Sequence, residues 1–389
     1  DSLQVKAVDE HTVEMTCAEP TNMDFLFFIK FRDIYILPKH LLGDTPYADI
    51  RNNSYWEKPI GSGPCIYESQ ISGERMEFKA NKDYYLKTPQ WDRFVVKVVA
   101  TPSLLSGLMN DEIDILAGNV ASLQLSDWDM AQQQQNLTCV STESVGYQYM
   151  AINTEKDYLP PKVRQAIDMA INRDAIVSGL LKGEGEPAFG PFATSHKYYD
   201  DVVNVGYNPE KAKELLAEAG YPDGFEVTFD APNDRYMNDE QIAQAVAGYL
   251  EKVGIKVNLN LMPKANFFSY IKPLENKSMF LMTGWSDASG DGLSLMHDML
   301  YTYDREAGNG GVNRGHYSNA QVDALIDQAF TEMDDTKRGE LVAEADKIAR
   351  EDYAYIPLHF EQDTYAIKDT LNYTPRMNKY VYAWEFSYK

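Results

Sequence analysis

Up to about Val145 the apolar positions recur every second residue, and beyond it helix-spaced stretches alternate with stretches of period two. DSLQVKAVDEHTVEMTC (1–17) alternates apolar and polar side chains on both sides of a turn at Asp9–His11, which predicts a hairpin. PIGSGPCIYESQ sets Gly61, Gly63 and Pro64 ahead of another alternating run, and ERMEFKANKDYY and RFVVKVVA read as further strands. LLSGLMNDEIDILAG predicts a short helix leading into a strand.

From Tyr147 the rhythm changes. GYQYMAINT is a β-rich run ending at Asn153, and a helix starts after Pro160 and Pro161 with Val163, Ile167, Ala170 and Ile171 on one face. YNPEKAKELLAEAGYPDG carries Asn208 as N-cap, Pro209 at the first helical position and Gly220 just past the end. The strand FEVTFDA follows, then a helix from Asp239 to Gly254 with Ile242, Val246, Tyr249, Leu250 and Val253 inward, then the alternating strand IKVNLNLM. A strand from Met279 to Thr283 is expected to end at Gly284, with Trp285 at its exit. Residues 318–352 read as a helical hairpin, YAYIPLHF as a returning strand, and Tyr365–Lys389 as a tail that rejoins the first part. Strand–helix–strand repetition predicts an α/β region with a partly parallel sheet.

A chain of 389 residues exceeds one ordinary core, so two or more subdomains are expected. Its formal charge of −23 argues against nucleic acid as a partner, because basic clusters supply most non-specific affinity for it. The acid excess reads first as a solvated surface, and second as a preference for cationic ligands. No run of 18 apolar residues occurs, so a membrane-spanning helix is not expected; the chain starts at Asp1 and shows no signal peptide. Cys17, Cys65 and Cys139 form no CxxC pair and no disulfide framework. The six histidines are scattered without an HExxH pair, and His297 beside Asp298 reads as a polar helix pair. Nothing points to a metal or a cofactor. GxSxG, a P-loop and a strand-borne GxGxxG are also missing, which leaves an enzyme reading to two acids that meet from distant positions, as in a glycosidase.

The run GYQYMAINT, a polar gap and PPKVRQAIDMAINRDAIV closely resembles family 5 of the bacterial solute-binding proteins, the receptors of peptide- and nickel-type ABC importers. HTV, PIGSGPC with Cys65 at the usual Tyr position, and DEIDIL are similar to first-lobe motifs of that family in the same order. NRGHYSNAQVDALIDQA resembles its N–YSNPEVDALID stretch, and GEGEPAFGPF its loop lining the second lobe. The resemblance implies an α/β, two-lobed, periplasmic-binding-protein-like fold (type II, family 5). The first lobe, 1–146 plus 360–389, is expected to be β-rich and incomplete, since family members carry further residues ahead of the point matching Asp1. The second lobe is then 147–359, with hinges near 146–153 and 356–362.

It also implies an extracytoplasmic receptor, not an enzyme. Such a receptor works as a monomer in the periplasm, or as a cell-surface lipoprotein in a Gram-positive cell, and delivers its solute to an inner-membrane ABC permease. The ligand binds between the lobes and selects a closed form. Peptides or peptide-like solutes are the expected class; the alternatives are an opine, an oligosaccharide or a metal chelate, and more remotely a secreted hydrolase. The expected ligand-binding residues are Trp285, Asp287, Tyr147, Asn313 and Phe192. Peptide-binding members place an Asp for the ligand ammonium where this chain has Ala288, while Asp287 lies one residue earlier, so a modified ligand is a contender.

Overall fold

The computed structural model describes residues 3–21, 35–118, 121–194, 196–198, 205–272, 278–286, 290 and 292–389. In chain order the strands are β1 (Leu3–Ala7), β2 (Val13–Cys17), β3 (Cys65–Ile71), β4 (Arg75–Ala80), β5 (Arg93–Lys97), β6 (Ile115–Leu116) and β7 (Leu137–Ile152). They continue with β8 (Gly185–Pro187), β9 (Phe225–Pro232), β10 (Ile255–Met262), β11 (Phe280–Ser286), β12 (Tyr355–Lys368), β13 (Leu371–Asn372) and β14 (Ser387–Tyr388). The chain divides into a larger unit, Asp1–Phe31 with Ser144–Gln362, and a smaller one, Arg32–Glu143 with Asp363–Lys389.

In the larger unit the strand order is β10-β9-β11-β7-β12, with β8 pairing β12. β9 runs parallel to β10 and β11, whereas β11 is antiparallel to β7, so the sheet is partly parallel, as the alternation of helices and strands predicts. The helix Asp239–Lys252 makes the β9–β10 crossover and buries Ile242, Ala243, Val246, Ala247 and Leu250, one stripe at helical spacing. Gly254 follows at φ +96, a left-handed stop that a Cβ would strain. Asn208 caps Pro209–Glu218 by accepting from Lys211 N at 2.9 Å, and Asn319 caps Ala320–Thr331 by accepting from Gln321 N at 3.0 Å. The large core cluster joins Tyr147, Tyr149, Phe267, Leu293, Val322 and Val342 from β7 and the helices packed beside it. Each large side chain fully buried there stabilises the fold by about 1.5–3 kcal/mol.

Two local readings differ, and one helix goes unread. The helix from Pro161 stops at Ala170; Ile171 takes φ −94 and ψ 121 and stays buried by leaving the helix. β11 runs on to Ser286, so Trp285 stands within the strand and not at its exit. Helix Lys264–Ile271 has too short an apolar stripe to be read from spacing, since only Phe267 and Ile271 are buried.

The β1–β2 hairpin pairs Leu3 with Cys17 and Ala7 with Val13, and His11 N donates to Asp9 Oδ1 at 2.8 Å in its turn. In the smaller unit β3, β4 and β5 form an antiparallel meander. Trp91 packs with Ala80, Ala383 and Phe386, and its Nε1 donates to Ala383 O at 2.7 Å, which ties the C-terminal tail to this unit. Leu104, Leu105 and Leu108 of the helix Leu104–Met109 pack on Leu116 and Ala366, where β6 pairs with the end of β12. Cys17, Cys65 and Cys139 form no disulfide. No described helix is long and apolar enough to cross a membrane.

Candidate functional site

Antiparallel pairing of β11 with β7 sets Trp285 opposite Tyr147, Gly284 opposite Gln148 and Thr283 opposite Tyr149. Alternation along each strand sends these pairs to two faces. On the first, the rings of Tyr147 and Tyr149 stack at 5.2 Å inside the large cluster, and Tyr147 OH donates to Met299 Sδ at 3.3 Å. Both rings are fully buried, and burial raises both phenol pKa values. Trp285 packs on the same cluster but stays half-buried, so this large apolar side chain alone of its row keeps a free surface.

On the other face Gln148 is 1% exposed, and its Nε2 donates to Glu361 Oε1. Tyr236 closes this corner. Its hydroxyl accepts from Gly284 N at 2.9 Å and shares a hydrogen bond with Thr283 Oγ1 at 3.2 Å. The loop holding Tyr236 is pinned by Asp239, whose carboxylate accepts from Arg235 N at 2.8 Å, Tyr236 N at 2.9 Å and Glu240 N at 2.9 Å. Burial nevertheless outweighs these three donors and raises the Asp239 pKa. Arg235 lays its guanidinium over the Tyr236 ring, 4.7 Å from the centroid.

A half-buried arginine stands near the same tyrosines. Arg314 donates through Nη1 to the carbonyls of Ile271 and Lys272, at the end of helix Lys264–Ile271, and its charge acts on Tyr149, Tyr236 and Tyr303. Burial lowers its pKa. The Tyr149 hydroxyl is buried with no hydrogen-bond partner.

Of the expected site residues, Trp285, Tyr147 and Phe192 come together around one cluster. Only Trp285 retains an open side. Tyr147 is 0% exposed and packs under the strand pair, and Phe192, 3% exposed, fills the space where a Cβ on Gly292 would stand, at 2.7 Å. Asn313 is spent on its own loop: its amide donates to Tyr301 O at 3.0 Å and Tyr317 O at 2.7 Å, and its oxygen accepts from Tyr317 N at 3.0 Å. It borders a cavity of about 260 Å³ with Glu155, Thr302, Tyr303 and His316. Asp287 lies outside the described residues. His297 sits in the helix Leu293–Leu300 between Asp298 at 3.3 Å and Asn309 at 3.1 Å, a polar pairing as the sequence suggests.

Gln148, Tyr236, Arg235 and Arg314 were not singled out by pattern. Gln148 does have a signal, as the one polar break in YQYMAI. Tyr236 and Arg314 lie in loops and meet Gly284 and Ile271 from far away in sequence, and Arg235 sits beside Tyr236 with no pattern of its own.

The sequence pattern of the bacterial extracellular solute-binding proteins, family 5, matches residues 1–307, most of the chain. The chain belongs to this family. Among the members it is similar to, the oligopeptide-binding protein AppA of Bacillus subtilis is 28% identical over 387 residues, covering 92% of this chain and 69% of its own length. Heme-binding protein A of Haemophilus influenzae is 28% identical over 361 residues (91% and 64%), and di/tripeptide-binding protein 1 of Pseudomonas aeruginosa is 29% identical over 373 (91% and 65%). The solved structure of Bacillus subtilis AppA with a nonapeptide superposes with a TM-score of 0.81 at 25% identity, covering 100% of this chain and 78% of that one. The α/β fold is thus that of the family 5 solute-binding proteins, and the chain spans about two thirds of the length of these relatives.

Proposed function

We propose that this family 5 protein is the solute receptor of an ABC importer, and that its solute is a peptide held against the larger unit beside Trp285. The observation that carries the reading is the likeness to AppA, an oligopeptide-binding protein solved with a nonapeptide, across nearly the whole of this chain. The local chemistry agrees with it. Trp285 offers an amphipathic ring from within β11, packed on one side against the buried cluster that includes Tyr147 and Tyr149. Backing of this kind lowers the ordering cost of binding, so more of the contact energy appears as affinity.

The receptor works outside the cytoplasm, in the periplasm or anchored at the cell surface, as a monomer that hands its peptide to a membrane permease. Its role needs no chemistry on the solute. Titration of the intact protein with pooled peptides, with Trp285→Ala beside it, tests the reading: the wild type retains peptides stoichiometrically and unaltered, and the variant retains them at least about tenfold more weakly. Equal retention by both proteins moves the site away from β11.

A further inference from the structure

Three guanidiniums of the larger unit lie below a tenth exposed, and each uses all three of its nitrogens. Arg173 donates to Pro357 O, Asp168 O and Asp168 Oδ1; Arg164 to Leu159 O, Asp352 O and Tyr353 O; Arg338 to Glu332 O, Tyr198 OH and Asp335 Oδ1. Arg314 differs from them in being only half-buried. Only Nη1 donates, to the last carbonyls of helix Lys264–Ile271, which leaves Nε and Nη2 without a protein acceptor among the described residues. No described carboxylate stands within ion-pair distance of it, in a chain whose acidic residues outnumber basic ones by 59 to 36. A half-buried guanidinium with two unused nitrogens and no counter-ion can offer a pair of charge-assisted bonds to an anion from outside the chain.

Its surroundings specify what completes it. The charge lies among the phenols of Tyr149, Tyr236 and Tyr303, and Tyr149 has a hydroxyl without a partner. Tyr236 is bonded to Thr283 and Gly284, directly before Trp285 on β11, and carries the Arg235 guanidinium on its ring. Two free guanidinium nitrogens in a planar fork, with phenols nearby, match a planar anion that accepts two parallel bonds.

We infer that Arg314 is a specificity-determining residue of the solute site and binds a carboxylate of the solute. This deepens the receptor reading and rests on it. For a peptide the carboxylate is the C-terminus or an acidic side chain; both present the same two oxygens to the fork. The competing role, a cation closing the end of helix Lys264–Ile271, needs only Nη1.

The test uses the intact protein as wild type, Arg314→Met and Arg314→Gln. The glutamine keeps an N–H for the helix carbonyl and removes the charge, so it separates the ligand role from the cap. Each protein is offered a pooled library of di- to pentapeptides with free C-termini, the same library amidated, and sodium N-acetylglycinate, with retention read by mass spectrometry and titration. The wild type is expected to retain free acids at least tenfold better than amides, and both variants to lose that preference while holding amides as before. If a preference survives in the wild type only for peptides with Asp or Glu side chains, and both variants lose it, the carboxylate is a side chain. A preference unchanged in a folded Arg314→Gln overturns the inference, as does a wild type with no preference for carboxylates. If the wild type retains neither library, the peptide reading fails, and N-acetylglycinate decides the arginine alone: binding lost in both variants keeps the inference, and equal or absent binding in all three proteins ends it.

Discussion

Gly284 and Gln148 face each other across β11 and β7 with no room for a side chain between them. A Cβ on Gly284 would stand 2.6 Å from Gln148 Nε2 and 2.9 Å from Tyr236 Cε1. The glycine before the tryptophan is therefore a packing requirement. It lets the Gln148 amide reach Glu361, and Tyr236 accept from the Gly284 N–H, in the same corner. Gly284→Ala is expected to displace one of these partners and destabilise the larger unit by about 1–3 kcal/mol. Thermal unfolding checks it; an unchanged midpoint would show that the corner has slack.

Trp285 and Tyr147 are opposed in register but differ in exposure, and the two sites should respond differently. Tyr147→Phe removes only a weak bond to Met299 sulfur, so stability should shift by less than about 1 kcal/mol and peptide affinity by less than about twofold. Calorimetric titration beside a melting curve separates this from Trp285. A large loss of affinity in Tyr147→Phe would place the phenol in the site despite its burial.

Asn313→Ala should act on the fold. Three hydrogen bonds disappear, leaving the carbonyls of Tyr301 and Tyr317 and the N–H of Tyr317 without this partner, at a cost of about 2–4 kcal/mol. The predicted signature is a lower unfolding midpoint, with faster amide exchange near Tyr317. A variant that melts normally but binds peptide poorly would return Asn313 to the ligand.

Much of this was legible in the chain and some could not be. The stripe Ile242, Val246, Leu250 and the alternation of IKVNLNLM set the βαβ unit, because burial on one face writes its period into the sequence. The caps at Asn208 and Asn319 were equally plain, being local hydrogen bonds between near neighbours. Tyr147, Phe192 and Asn313 had the right chemistry for a binding wall, but whether a tyrosine on a strand is walled in depends on Met299 and Tyr355, which lie some 150 to 210 positions away. For the same reason the loneliness of Arg314 has no sequence signal. It depends on which acids the fold fails to bring near.

Cysteine chemistry gives a pH test independent of ligand. Burial raises the Cys65 thiol to about 11 and raises Cys139 as well. With the folded pKa above that of a free thiol, near 8.5, the reactive thiolate is suppressed at pH 8, and roughly a hundredfold slower alkylation of Cys65 is expected. The rate should climb about tenfold per pH unit up to the raised pKa, and mass-resolved labelling of the native protein follows it. Labelling as fast as a free thiol at pH 8 would mean that the Cys65 environment is open.

The most direct test of the receptor account is native mass spectrometry of the intact protein after incubation with pooled di- to hexapeptides. The account predicts one peptide retained per chain, its mass unchanged after hours, and its retention lost in Trp285→Ala. A protein that retains no peptide, or one that releases its peptides cleaved, would contradict it.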